Sequence, residues 1–198
     1  MEVELKFGLT AQTHRVLSLL ARGKPVYQRN TYFDVQGKLR RAGAGLRLRE
    51  VLGKAPVLTF KLRTPETAKL AKGGLHKRQE WECRITTAQA ARLRTGRLSW
   101  ESVNNKVSRE LRRAFPKLDL ATLQPIGSVL TERKNVKFGQ LKGELDRTQI
   151  GRHVFEELEI ETTNPEGARK VIVHWFKELG IPVRPKKETK LAALYRLS

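Results

Sequence analysis

Three short stretches of this 198-residue chain place charge at every second position. "EVELK" carries Glu2, Glu4 and Lys6, "GLRLRE" carries Arg47 and Arg49, and "EELEIE" carries Glu157, Glu159 and Glu161. Between them stand Val3 and Leu5, Leu46 and Leu48, and Leu158 and Ile160. Successive side chains of an extended strand point to opposite faces, so each stretch reads as a strand with one charged and one apolar face. "LTFKLR", "KRQEWECR", "TERK" and "GELD" repeat the device with Thr59, Lys61 and Arg63, with Arg78, Glu80, Glu82 and Arg84, with Arg133, and with Glu144 and Asp146. A polar sheet face ordinarily meets water and mixes its charges. Here acidic rows and basic rows are separate. Gathered around a cavity, like charges repel and lose hydration. A hard divalent cation offsets carboxylates, and a polyanion offsets Arg and Lys, whose guanidinium forks match phosphate oxygens. The residue types therefore describe a metal–polyphosphate site, with Mg²⁺ or Mn²⁺ held by a few carboxylates, phosphate oxygens and water.

The elements that must position these rows alternate between strands and a few amphipathic helices. Strands are expected at the N-terminus and over Tyr27–Asp34, Gly45–Val51, Val57–Arg63, Lys77–Ile85, Leu130–Phe138, Leu141–Asp146 and His153–Thr162, separated by turn residues such as Gly37, Gly53 and Pro56. Helices are expected from Thr10 to about Arg22, from Thr86 or Thr87 to near Gly96, over roughly Glu101–Phe115, from Asn164 and Pro165 to Gly180, and over about Glu188–Arg196. About eight strands with mostly short connections predict an α+β fold: an antiparallel eight-stranded barrel, flanked by amphipathic helices. Helices covering the apolar face from outside leave the charged face to line a tunnel. The whole chain, 1–198, reads as one domain, with a helical insertion at about 86–125 and a C-terminal helix at about 188–196.

Composition narrows the partners. Forty Lys and Arg stand against 20 Asp and Glu, a formal net charge of +20, which points to a polyanion. No apolar run reaches the length of a membrane span, no signal-peptide pattern opens the chain, and a lone Cys83 excludes an internal disulfide framework. A cytoplasmic protein with no membrane partner is the expectation. His14, His153 and His174 stand singly without metal-ligand spacing, and His76 is expected in a loop before Arg78. The basic stretch "SRELRRAFPK" reads first as a solvated helix face, so nucleic acid is not a required partner.

The ordered set "EVELK", "TYFD", "GLRLR", "LTFK", "KRQEWE", "TERK", "LD", "ELEIE" and "TKLAALY" resembles the CYTH superfamily, the triphosphate tunnel metalloenzymes, over nearly the whole chain. "LRRAGAGLRLRE" and "GGLHKRQEWE" are most similar to its bacterial inorganic triphosphatases, with Thr189 where those carry Ser before the lysine. The resemblance implies metal-dependent hydrolysis of inorganic triphosphate to diphosphate and phosphate. It implies Glu2, Glu4, Glu159 and Glu161 as metal ligands, and Lys6, Arg47, Arg49, Lys61, Arg78, Arg133 and Lys190 as triphosphate contacts. Lys6 and Arg49 would stabilise charge on the transferring phosphoryl group, and Glu159 or Glu161 would orient the attacking water. Glu80, Glu82, Asp146 and Glu157 would orient these groups from behind. The alternatives are a related polyphosphate or an organic triphosphate as substrate (as in a class IV adenylate cyclase, or a thiamine or nucleoside triphosphatase), or a non-catalytic polyphosphate- or RNA-binding module. A homodimer is neither required nor excluded by these residues.

Overall fold

Alternating charge and hydrophobicity leaves each strand with an apolar face to bury, and curling the sheet into a barrel buries one face inside and lets helices cover the other. The structure, a computed structural model, describes residues 2–63 and 75–197, with backbone alone at Glu2 and Lys77. Its eight strands are β1 (Glu2–Leu9), β2 (Ala21–Asp34), β3 (Ala44–Val51), β4 (Val57–Leu62), β5 (Leu75–Arg84), β6 (Gln124–Phe138), β7 (Leu141–Ile150) and β8 (His153–Glu161). They close in the order β1-β5-β4-β3-β2-β6-β7-β8, each neighbour antiparallel. The expected α+β barrel is the observed one.

Six helices accompany the strands among the described residues: α1 (Ala11–Ser18), α2 (Lys38–Arg41), α3 (Thr87–Arg94), α4 (Lys106–Ala114), α5 (Pro165–Glu178) and α6 (Lys190–Leu197). The apolar face of β3 and β4, with Leu46, Leu48, Leu58 and Phe60, packs beneath Trp100, Val107 and Leu111 of the segment between β5 and β6. The apolar face of β1 and β8, with Leu5, Phe7, Leu158 and Ile160, packs beneath Leu17 of α1 and Ile172 and Phe176 of α5. Phe7 and Phe176 meet edge to face at 5.6 Å.

α6 behaves differently. Ala193 and Leu194 pack on Tyr32, Val129 and Ile150. Those three lie on the same strand faces as Asn30, Thr131 and Thr148, so α6 fills one end of the barrel from within. Gly127 permits this approach, since a Cβ there would stand 2.9 Å from Leu194. A connecting segment also joins the wall beside β1: Gly8 N donates to Arg184 O at 2.8 Å and Lys186 N donates to Lys6 O at 2.9 Å.

Several boundaries differ from expectation. α1 stops at Ser18 rather than near Arg22, because Ala21 and Arg22 already pair with Val136 and Asn135. The long helix expected over Glu101–Phe115 is a single 3-10 turn at Trp100–Ser102 and then α4. Asn105 and Ser108 form a reciprocal cap that starts the helix afresh. β6 and β7 extend further than expected, and His76 lies within β5, not in a loop.

Candidate active site

Strand register brings the charged rows together. Glu4 stands opposite Glu161 and Lys6 opposite Glu159 across β1 and β8, while Glu144 and Asp146 of β7 stand opposite Glu159 and Glu157. On the far wall, Lys61 stands opposite Glu80 and Thr59 opposite Glu82. The rows enclose a cavity of about 530 Å³. Glu4, Lys6, Arg47, Arg49, Lys61, Arg78, Glu80, Glu82, Arg133, Glu159, Glu161 and Lys190 all line it. Asp146 and Glu157 lie fully buried behind this layer. The Glu2 side chain lies outside the described residues. Arg63 and Arg84 face solvent.

The β7–β8 side is a network of buried ion pairs. Arg133 donates through Nε and Nη2 to the two oxygens of Asp146, at 2.7 and 2.6 Å, and through Nη2 to Glu159 at 2.8 Å. It also pairs with Glu144. The Lys190 ammonium, carried inward by the first turn of α6, reaches Asp146 at 2.7 Å, Glu157 at 2.5 Å and Glu159 at 2.8 Å. Lys186 closes on Glu157 at 2.7 Å. Lys6 meets Glu159 at 2.5 Å and Glu4 at 3.1 Å.

These neighbours decide the protonation states. Burial pushes Glu4 up, but Lys6 and more distant Lys61 outweigh it and bring the carboxyl down to about 2. Burial likewise opposes the charge on Glu159, yet Lys190, Lys6 and Arg133 hold it well below the usual carboxylate range. Burial disfavours the ammonium groups too, and the surrounding carboxylates still raise Lys6 and Lys190. Glu144 is pushed up, by burial first and then by Glu159 and Asp146, against the pull of Arg133.

The opposite wall is basic and less satisfied. Lys61 meets Glu80 at 3.1 Å, and Thr59 donates to Glu82 at 3.0 Å. Arg47 and Arg49 stand two residues apart on β3, each with a buried Nε that lacks a hydrogen-bond partner. Arg47 beside it, and then burial, lower the affinity of Arg49 for its proton. Two close guanidinium groups of this kind favour an anion between or above them.

Asp146, Glu157 and Glu159 bring oxygens within 4.8 Å of one another, so this buried cluster has the donors to hold a metal ion. Two of its members were expected to act from behind the ligands. The cavity also contains residues that the charged rows did not announce, Gln28, Asn30, Thr131, Thr189 and Lys106, and one, Glu144, that belonged to such a row without an assigned role. Gln28 and Asn30 follow the same alternation as their charged neighbours, and polarity on β2 was the available signal. Lys106, from a helix, had none.

The CYTH domain model matches residues 1–195. No curated protein sequence matches this one. Among solved structures, a Hippeastrum protein, proposed to be an adenylyl cyclase and found to have a dominant triphosphatase activity, is 26% identical with a TM-score of 0.85 over 100% of this chain and 97% of its own. A Bacillus halodurans protein proposed to be an adenylate cyclase is 23% identical, with a TM-score of 0.77 over 98% and 97% of the two chains. A Pyrococcus horikoshii protein shares the fold at 16% identity, with a TM-score of 0.63 over the full length of both. A match of this extent, on a barrel whose interior is lined with charge, places the chain in the CYTH domain family.

Proposed function

We propose that the protein hydrolyses inorganic triphosphate to diphosphate and phosphate with Mg²⁺ or Mn²⁺ bound. The observation that carries this reading is the pair Arg47 and Arg49, with unpartnered buried Nε atoms facing a cavity whose other side is carboxylate. Arg47, Arg49, Lys61 and Arg78 would grip phosphate oxygens, and Arg49 and Lys6 would stabilise charge on the group in transfer. The triphosphatase activity of the Hippeastrum protein supports the reaction class. Among the described lining residues only Tyr32 and Leu191 offer aromatic or aliphatic surface, which leaves little platform there for a purine or thiazole ring and favours an inorganic substrate.

The residues fit a hard cation. Glu161 lines the cavity opposite Glu4 with no ion pair or hydrogen bond among the described residues, so adjacent oxygens are available on β1 and β8. Glu2 and Glu159 are proposed to share this role. A bound ion would neutralise phosphate oxygens and raise the electrophilicity of phosphorus. Glu159 is held by three cations and makes a poor base, so Glu161 is the better placed of the two to orient the attacking water. Glu80 and Glu82 hold Lys61 and Thr59 in place on the basic wall.

The test is phosphate release from triphosphate, ATP and thiamine triphosphate, with Mg²⁺, with Mn²⁺ and with chelator. Triphosphate is expected to be preferred, chelation to abolish turnover, and Arg49→Ala to lower kcat/KM at least about tenfold. Tight, metal-independent binding without turnover of any of the three would instead identify a binding module.

A further inference from the structure

The cavity does not account for the charge of this protein. Among the described residues lining it, eight are Lys or Arg and six are Glu, a net of +2. The chain as a whole carries +20. Nearly all of the surplus therefore lies outside the tunnel.

One part of that surplus is continuous with it. Residues 106–117, "KVSRELRRAFPK", hold five Lys or Arg and one Glu, a net of +4 in twelve residues, where the chain average would give about one. Val107, Ser108 and Leu111 turn α4 onto the barrel. Lys106, Arg109 and Arg113 recur at i, i+3 and i+7 on the opposite side, all exposed. Lys106 also lines the cavity, so the row begins at the tunnel and runs roughly 10 Å along the helix. Arg113 has a carboxylate only at 4.0 Å, from Glu110, and Arg109 and Lys106 have none among the described residues.

The surroundings of the row select the kind of polyanion. No large apolar side chain between residues 85 and 123 is exposed, and Trp100 and Phe115 pack into the core. The face therefore lacks the aromatic platforms on which single-stranded nucleic acid stacks and the apolar surface that enters a bilayer. What remains is a track of point charges, suited to a chain that is uniformly anionic and has nothing to stack. We propose that the Lys106–Arg109–Arg113 face of α4 binds the body of a linear inorganic polyphosphate whose end occupies the tunnel. This rests on the phosphate-binding reading of the tunnel and extends it to longer substrates.

The test compares wild type with Arg109→Gln/Arg113→Gln, which removes the two charges furthest from the cavity. Binding is read by fluorescence anisotropy with end-labelled polyphosphate tens of phosphates long, and turnover separately with triphosphate. The double variant should bind the long chain at least about tenfold more weakly, with a shallower salt dependence, and hydrolyse triphosphate within about twofold of wild type. A control, Arg15→Gln/Arg152→Gln, removes equal charge from other exposed positions and should bind the long chain like wild type. Unchanged affinity in the α4 variant, an equal loss in the control, or a matching loss for single-stranded RNA bound as tightly would each overturn the proposal. Because binding is read without turnover, loss confined to the α4 variant supports the track even if triphosphate is not hydrolysed. Failure of triphosphate hydrolysis alone counts against the proposed function.

Discussion

Lys190 and Arg133 each touch three carboxylates, and both draw on Asp146 and Glu159. Removing one partner from a buried network leaves uncompensated charge, so Lys190→Met should cost about 3–5 kcal/mol. It should also leave Asp146, Glu157 and Glu159 as a cluster ready for a cation. Mn²⁺ or Mg²⁺ should then raise the melting temperature of the variant more than that of wild type. Equal shifts would mean that Lys190 does not compete with metal for these oxygens. Glu4 supplies a prediction about pH. Its folded value of about 2 lies below the ordinary 4.5, so its contribution is fully present above about pH 4.5 and declines as pH falls towards 2. In metal-free protein, Glu4→Gln should therefore lose less stability than wild type between about pH 5 and pH 3, read by denaturant melts. At this scale the rows themselves were legible from spacing. The division of labour within them was not, because a carboxylate with three cations around it and one with none look alike in sequence.

Among the elements, α6 depends on a residue far from it in the chain. Asp34, at the end of β2, accepts hydrogen bonds from Val35 N, Leu39 N and Arg40 N, and from the Tyr195 hydroxyl at 2.5 Å. The Arg40 guanidinium lies 4.6 Å over the Tyr195 ring. One carboxylate thus shapes the turn that carries α2 and pins the helix that fills the barrel. Tyr195→Phe should cost about 1–2 kcal/mol and speed hydrogen exchange within α6, while Asp34→Ala, which also orphans three backbone donors, should cost more. A larger loss in Tyr195→Phe than in Asp34→Ala would contradict this arrangement. Strand identity was readable because the period of two is unambiguous over four or more residues. The limits of α1 and α4 were not, since the pairing of Ala21 with Val136 and the cap at Asn105 override an apolar pattern that could have continued the helix. α6 was expected as a helix, but nothing in its pattern distinguished covering the barrel from entering it.

For the whole molecule, the contrast between +2 in the tunnel and +20 overall has two consequences of opposite sign. Self-repulsion of the surface charge opposes folding, so raising salt from about 20 to 200 mM should raise the melting temperature. The same salt screens capture of an anionic substrate and should raise KM for triphosphate. If neither changed with salt, the surplus charge would not be acting at long range. The amino-acid sequence by itself determined that strands exist, which face of each is charged, and that those faces need partners of opposite sign, because all three follow from local alternation and charge. Only the tertiary structure decided which charges meet. Register sets Glu4 against Glu161 and Lys6 against Glu159, closure gathers fourteen charged side chains around one cavity among the described residues, and α6 delivers Lys190 to oxygens on β7 and β8. Such pairings join residues up to 157 positions apart, Glu4 and Glu161 being the furthest, and the energy of a charge depends on its neighbours in space rather than in the chain.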